Sequence, residues 1–330
     1  MKKIINDPMN FVKESLEGII YAYPDFLKFS SDKKGIMRTE PPAKGKVTIV
    51  TGGGAGHLPV FLGYVGRGLA DGAAVGNVFT SPSADAIVNV AKEVHGDGGI
   101  LFLYGHYFGD TMNFDLAAEI LEEEEDLPVK TVRVSDDIAS APRDTWEKRR
   151  GVAGIFFAYK IAGACADKLL PLEKVKGITE KAVANIATMG VAISSCTIPE
   201  SGKPTFEIAD DEMEVGMGIH GEPGIRRTKL KTADEITSEI IDYLIEDLKI
   251  KSGDEVSLLV NGSGTTPPEE LYIVNRAAHL LLSSKNIKIY KTFVGEYATS
   301  LDMGGISLSI LKLDNELKEY LDAPYYSPFL

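Results

Sequence analysis

Short apolar runs rich in β-branched residues alternate with helical patterns through the first half of the chain, and that alternation most constrains its fold. Lys46 to Val50, Gly99 to Leu103 and Val129 to Val134 read as strands, while Ser83 to Val94 and Phe114 to Glu124 read as helices. Such an order predicts a mostly parallel sheet covered by helices. Ser81 followed by Pro82 suits the N-cap and first turn of the helix that carries Asp85. A long helical region from about Gly151 to Ala187, broken around Leu170 to Gly177, closes this half.

From Val191 the pattern changes to strands and glycine-rich loops. Val191 to Ser195, Val256 to Val260, Ile287 to Val294 and Ser307 to Leu313 read as strands; Asp234 to Leu248 and Pro268 to Ser283 read as amphipathic helices. A length of 330 residues suits two cores rather than one. The expected fold class is α/β with two domains, parallel or mixed sheets flanked by helices, divided into residues 1–183 and 184–330.

Apolar residues make up 44% and charged residues 25%, a globular balance with no run of 18 apolar residues. The first residues, Met1 to Pro8, lack the apolar core of a signal peptide, so a cytoplasmic protein is expected. Cys165 and Cys196 stand in apolar contexts without metal-ligand spacing and read as buried thiols. A formal net charge of −13 repels phosphate backbones, so the chain itself is not expected to bind nucleic acid. The acidic run Glu122 to Asp126 reads as a solvated helix end.

Three glycine-rich segments are candidates for chemistry. In Gly216-Met-Gly-Ile-His220-Gly-Glu-Pro-Gly224, four glycines and a proline exclude a regular helix or central strand and place His220 on a shaped loop. A loop imidazole can react near neutrality or can simply bond a turn. Thr51-Gly-Gly-Gly-Ala-Gly-His57 follows a strand; its glycines either cradle an anion or polar ligand with backbone N–H groups or make a tight turn. No GxxxxGK[ST] motif accompanies it. In Tyr104-Gly-His-Tyr-Phe-Gly-Asp110, Asp110 follows a strand end, where it can act as a general base or cap the turn beginning at Thr111. His106 adds an imidazole there. His95 and His279 read as structural, and without an HExxH pair or a Cys/His cluster no metal site is expected. Asn261 to Pro268 and Thr299 to Gly305 are polar turns that either line a cleft or act as scaffolding.

Taken in order, Thr51-Gly-Gly-Gly-x-Gly-His57, Phe79-Thr-Ser-Pro82, Tyr107-x-Gly-Asp110, Arg149-Arg-Gly-Val-Ala153, Cys196-Thr-Ile-Pro199, Gly218-Ile-His-Gly-Glu-Pro-Gly224 and Thr299-Ser-Leu-Asp-Met303 closely resemble the substrate-binding K subunit of dihydroxyacetone kinases. The resemblance runs nearly end to end. It implies that His220 adds to the ketone carbon of dihydroxyacetone to give a covalent hemiaminal. It also implies that His57 and Asp110 contact the substrate hydroxyls and assist proton removal, with Gly53 and Gly54 also at the substrate. Covalent capture suits so small a ligand, because noncovalent contacts are limited to about 1.5 kcal/mol per heavy atom, and reversible addition selects carbonyls over glycerol. A homodimer is implied, no cofactor is implied, and the nucleotide or phosphoryl donor is implied to sit on a separate subunit.

The departures from the kinase pattern are Ala55 and Leu58 in place of serine and glutamate, and Gly105 and His106 in place of lysine and asparagine. Loss of a cation beside the site weakens the case for phosphoryl transfer. The expectation is therefore a dihydroxyacetone sensor that acts as coactivator of a DNA-binding transcription factor controlling a dihydroxyacetone kinase operon, and not an enzyme. The alternative is a working K subunit of a phosphotransferase-system-dependent kinase for dihydroxyacetone or a related ketose.

Overall fold

A computed structural model describes residues 2–330, which fall into two compact units. One comprises the chain up to Val134 together with Ala158–Lys181 and Glu319–Leu330; the other comprises Ser135–Phe157 and Ala182–Lys318. A single cut near residue 183 does not describe this division, because the segment 135–157 and the C-terminal residues cross it in opposite senses.

In the first unit the chain runs α1 (Phe11–Ala22), β1 (Leu27–Phe29), β2 (Gly35–Arg38), β3 (Lys46–Ala55), β4 (Gly72–Val78), α2 (Ala84–Glu93), β5 (Asp97–Gly105), α3 (Phe108–Glu123) and β6 (Val129–Val134). The six strands form one sheet in the order β1-β2-β4-β3-β5-β6. Strands β4, β3, β5 and β6 are mutually parallel, and the short β1 and β2 add antiparallel pairs at one edge. Val50, Ile100, Phe102 and Tyr104 from the central strands pack on Ile87 and Val90 of α2 and on Phe114, Ala117 and Leu121 of α3. Each large side chain removed from water in this way contributes about 1.5–3 kcal/mol.

Two local expectations change. The glycines of Thr51 to His57 are not a loop: β3 continues through them, with Gly52, Gly53 and Gly54 paired to Ala74, Val75 and Gly76. They are small because neighbours press on them. A Cβ at Gly53 would lie 1.9 Å from the Phe61 ring, and one at Gly54 would lie 2.6 Å from the Thr80 nitrogen. The cap of α2 is Ser83, whose hydroxyl accepts from the Ala86 N–H, rather than Ser81. Ser81 and Pro82 lie before the helix, where the Asn113 amide of α3 donates to the Ser81 hydroxyl and the Pro82 carbonyl.

Next come α4 (Ile155–Asp167) and α5 (Leu172–Ala184). The break in the expected long helix falls between Asp167 and Leu172, where Leu169 adopts φ 56° and Pro171 cannot continue the helical bonding. Gly177 lies inside α5, and Ile186 and Ala187 already belong to a strand.

The second unit contains β7 (Ile186–Ser194), β8 (Glu212–Val215), β9 (Arg226–Lys229), α6 (Ala233–Leu248), β10 (Glu255–Gly262), α7 (Pro268–Ser284), β11 (Lys288–Gly295), β12 (Gly304–Lys312) and the start of α8 (Asn315–Leu321). Its sheet order is β11-β10-β12-β7-β8-β9, antiparallel except for β10 with β11. Helix α6 opens with a capping box, Thr232 and Glu235 each closing the other's backbone N–H. Its face of Ile236, Ile240, Ile241, Leu244 and Leu248 joins Leu258, Val260, Leu308 and Ile310 in the core. Among the described residues no helix is long and apolar enough to cross a membrane.

Candidate functional site

In the first unit the candidate groups gather where adjacent parallel strands end. His57 lies two residues beyond β3, and Asp110 lies in the first turn of the helix that follows β5. Strand ends of this kind are where open α/β sheets hold ligands. The His57 ring is fully buried and stacked on Phe79, with centroids 4.6 Å apart and planes 17° from parallel. Phe79 is itself held at φ 57°, an unfavourable conformation for a bulky residue, and the bare Cα of Gly54 is what lets this turn approach β3.

Asp110 is buried on the third residue of α3, where the helix dipole favours a carboxylate. It does not cap a turn beginning at Thr111, since the helix starts earlier and the Thr111 N–H donates to the Tyr107 carbonyl. Beneath it, the Tyr159 hydroxyl and Thr51 Oγ1 are 2.5 Å apart. Burial pushes the Tyr159 phenol far above its usual value, and the charge of Asp110 acts in the same direction. Tyr159 is therefore a buried neutral group, bonded to Thr51 and within the field of Asp110. His106 is half-buried, and its backbone N–H donates to Val134. His95 lies 3.9 Å from Asp97 in the turn before β5, and His279 is 3.0 Å from the Thr292 hydroxyl. Neither joins the candidate groups.

The second unit presents His220 on the loop joining β8 to β9. Gly216 and Gly221 adopt φ 80° and 83°, and Gly218 both donates to the Glu222 carbonyl and accepts from the Gly221 N–H. The loop is thus a closed structure with two reversals that only glycine adopts without strain. Its decisive feature is Glu222. One carboxylate oxygen accepts from the His220 backbone N–H at 3.0 Å, and the other lies 3.0 Å from the ring Nδ1. Burial pulls the Glu222 carboxyl upward, but the bond from His220, its charge and the Arg150 guanidinium outweigh that and hold it at about 2. An ionised carboxylate only accepts hydrogen bonds, so Nδ1 carries a proton towards Glu222, and in the uncharged ring the lone pair falls on Nε2.

Other segments of this unit support the loop. The Thr205 N–H donates to the Cys196 carbonyl, Cys196 Sγ is 3.5 Å from the hydroxyls of Thr205 and Ser300, and Gly221 packs against Thr205. Asp302 accepts from the Thr197 N–H. Asn261 bonds Tyr297, Ala298 and Ser307 at once. The polar turns are scaffolding in this sense, yet Asn261, Ser263, Thr299 and Ser300 also line a small cleft with Met217 to Ile219 of the loop. Sequence reasoning missed Glu222 and Arg150 as neighbours of His220 and its loop. Glu222 was available from its place two residues after His220, whereas Arg150 lies 66 residues before Gly216, whose carbonyl it faces.

Residues 17–329 match the Dak1 domain. The chain belongs to that family. Among Dak1 relatives, it is 46% identical over 330 residues to the "PTS-dependent dihydroxyacetone kinase 2, dihydroxyacetone-binding subunit DhaK" of Listeria innocua serovar 6a, covering 100% of this chain and 99% of the relative. It is 40% identical to the L-erythrulose kinase of Pectobacterium atrosepticum, covering 99% of this chain and 56% of that one. Among solved structures it is similar to the "Dihydroxyacetone kinase operon co-activator Dha-DhaQ", with a TM-score of 0.88 and 30% identity over 94% of this chain and 96% of that one. The two-sheet α/β architecture is that of the Dak1 structures.

Proposed function

We propose that this Dak1 chain is the ketose-binding K subunit of a phosphotransferase-system-dependent dihydroxyacetone kinase, and that it captures its substrate covalently on His220. The observation that carries this reading is the double grip of Glu222 on His220, which leaves the lone pair on Nε2. Addition forms a bond from Nε2 to the ketone carbon and breaks the carbonyl π bond, whose electrons pass to oxygen. That oxygen gains a proton as the ring gives up the one on Nδ1, so imidazole plus ketone becomes a neutral hemiaminal. The Glu222 carboxylate balances the positive charge that develops on the ring in between. His57 and Asp110 are the groups proposed for the ketose hydroxyls and for moving their protons, with the backbone at Gly53 and Gly54 beside them.

Similarity favours this reading over the coactivator expected from Ala55, Leu58, Gly105 and His106. The identity is 46% to one kinase subunit over the whole chain and 42% to two others, while the solved coactivator and a solved dihydroxyacetone kinase stand equally far off at 30% and 29%. None of the four departures lies in the unit that carries His220. Helix α3 also shows Phe108, Met112 and Leu116 exposed at four-residue spacing, starting in the turn that bears Asp110. A contiguous apolar stripe of this kind suits a protein partner. The nucleotide-bearing and phosphoryl-donor subunits of such a kinase are the partners this reading requires.

The test is reconstitution of the purified chain with its cognate partner subunits and dihydroxyacetone. Consumption of the ketose at an ordinary kinase rate, on the order of 1–100 per second, is the expected result. Formation of the adduct without any turnover would instead return the coactivator reading, which the resemblance to a solved coactivator supports. Parallel assays with erythrulose measure how far the ketose preference extends.

A further inference from the structure

Behind Glu222 stands a second charged layer. The Arg150 guanidinium reaches Asp137 through Nε at 2.8 Å and through a terminal nitrogen at 2.7 Å, and its other terminal nitrogen lies 3.7 Å from Glu222 Oε2. Its backbone is pinned as well. The Asp137 N–H donates to the Arg150 carbonyl at 3.0 Å, the Arg150 N–H donates to Ser140 Oγ at 3.0 Å, and Ser140 Oγ donates to the Asp137 carbonyl at 2.7 Å. Asp137 also accepts from the Ala139 N–H. The arginine therefore enters the loop from a framed position.

The loop is shaped to receive it. A Cβ on Gly218 would lie 2.1 Å from Glu222 Oε2 and 2.5 Å from an Arg150 terminal nitrogen, so the missing side chain is the space in which these two groups meet. Side-chain exposure falls from 31% at Glu222 to 16% at Arg150 and 5% at Asp137, a gradient from solvent to core. Charges desolvated in this order interact more strongly than surface pairs.

From this arrangement we infer that Arg150, framed by Asp137, is a positioning residue that keeps the Glu222 carboxylate on His220 and thereby selects Nε2 as the attacking nitrogen. Nothing in Arg150 touches the substrate in this scheme. It acts by denying Glu222 other rotamers and by keeping it ionised, so that the carboxylate can only accept from Nδ1. Removing the hydrogen-bond partner that orients a metal-bound imidazole costs about 10- to 100-fold in metal affinity or activity, and the same order is expected when the group that orients His220 is loosened. The inference rests on His220 being the capturing group, but its first readout does not require capture.

That readout is the tautomer of His220, measured by nitrogen NMR on the full chain labelled with 15N-histidine, with the resonance assigned through His220→Ala. The wild-type ring should show a protonated Nδ1 and an unprotonated Nε2 at a pH where it is neutral. In Arg150→Met the two nitrogens should move towards averaged values, Arg150→Lys should restore part of the wild-type pattern, and Kd for dihydroxyacetone should rise about 10- to 100-fold. Gly218→Ala provides an independent route, since it crowds the same pair without removing a charge. Thermal melts identify which variants are folded. A wild-type tautomer in folded Arg150→Met and Gly218→Ala proteins would overturn the inference. A tautomer that shifts as expected while no form captures the ketose would uphold the positioning role and sink the reading of function.

Discussion

The two units hold their candidate groups by different means. In the first, His57 and Asp110 are placed by the sheet: parallel strands end side by side, and the residues that follow are fixed by packing against Phe79 and by a helix start. In the second, His220 stands on a loop with no regular structure, fixed by hydrogen bonds within the loop and by a carboxylate two residues away. The first arrangement buries its polar groups; the second presents an imidazole bonded to a carboxylate and 24% exposed. The strand-end groups are held by packing, whereas the His220 loop is held by its glycines and by Glu222.

The sharpest break in this comparison is His220→Ala. It should abolish covalent capture altogether while leaving the melting temperature close to wild type, since the ring is partly exposed; retained adduct would place the nucleophile elsewhere. Asp110→Asn should leave capture detectable but lower turnover in the reconstituted kinase by about 10²–10⁴-fold, the usual loss for a general acid or base. An unchanged rate would reduce Asp110 to a helix residue.

Stability should separate two substitutions of the same kind. Gly53→Ala forces a methyl group into the Phe61 ring and should cost about 1–3 kcal/mol, whereas Gly177→Ala on α5 meets nothing within 4 Å and should gain about 0.5–1 kcal/mol. Equal melting temperatures would show that the triple glycine does not serve close packing. A pH-dependent effect concerns Asp137, whose carboxyl is pushed up from 3.8 to about 6 by burial and the charge of Asp136, against the pull of Arg150. Its contribution to stability is fully present below pH 3.8, declines as pH rises and is lost above about 6, because the folded state then no longer holds the extra proton. Asp137→Asn should flatten that part of the stability curve, as read by chemical denaturation at several pH values. Burial raises the neighbouring Asp136 carboxyl as well, so some slope remains in the variant; a slope as steep as in the wild type would show that Asp137 does not contribute.

The central strands β3 and β5 were legible because strands buried on both faces read as nearly continuous apolar runs, as at Ile100 to Tyr104, and the edge strand β6 because Val129, Val132 and Val134 of its β-branched run face the core. Strand β9, Arg226–Lys229, carries no such signal, since an edge strand with four polar residues gains its order from pairing with β8. The start of β7 was hidden because Ile186 and Ala187 continue the apolar pattern of α5. The same limit applies to the site. His220 stood out through its glycines and Glu222 was its near neighbour, but Arg150 contacts a loop 66 residues further on, and no local pattern marks such a pairing. The strand-like course of Gly52 to Gly54 was obscured because glycine reads as a turn wherever the crowding that demands it is unseen.

Carbon and nitrogen NMR of the 15N-histidine protein saturated with dihydroxyacetone labelled at its carbonyl carbon tests the central claim most directly. The account predicts that the ketone signal is replaced by a tetrahedral carbon showing one-bond coupling to Nε2 of His220, and that this signal is absent from His220→Ala. A saturated protein that shows only ketone and hydrate carbons, with no coupling to nitrogen, would contradict it.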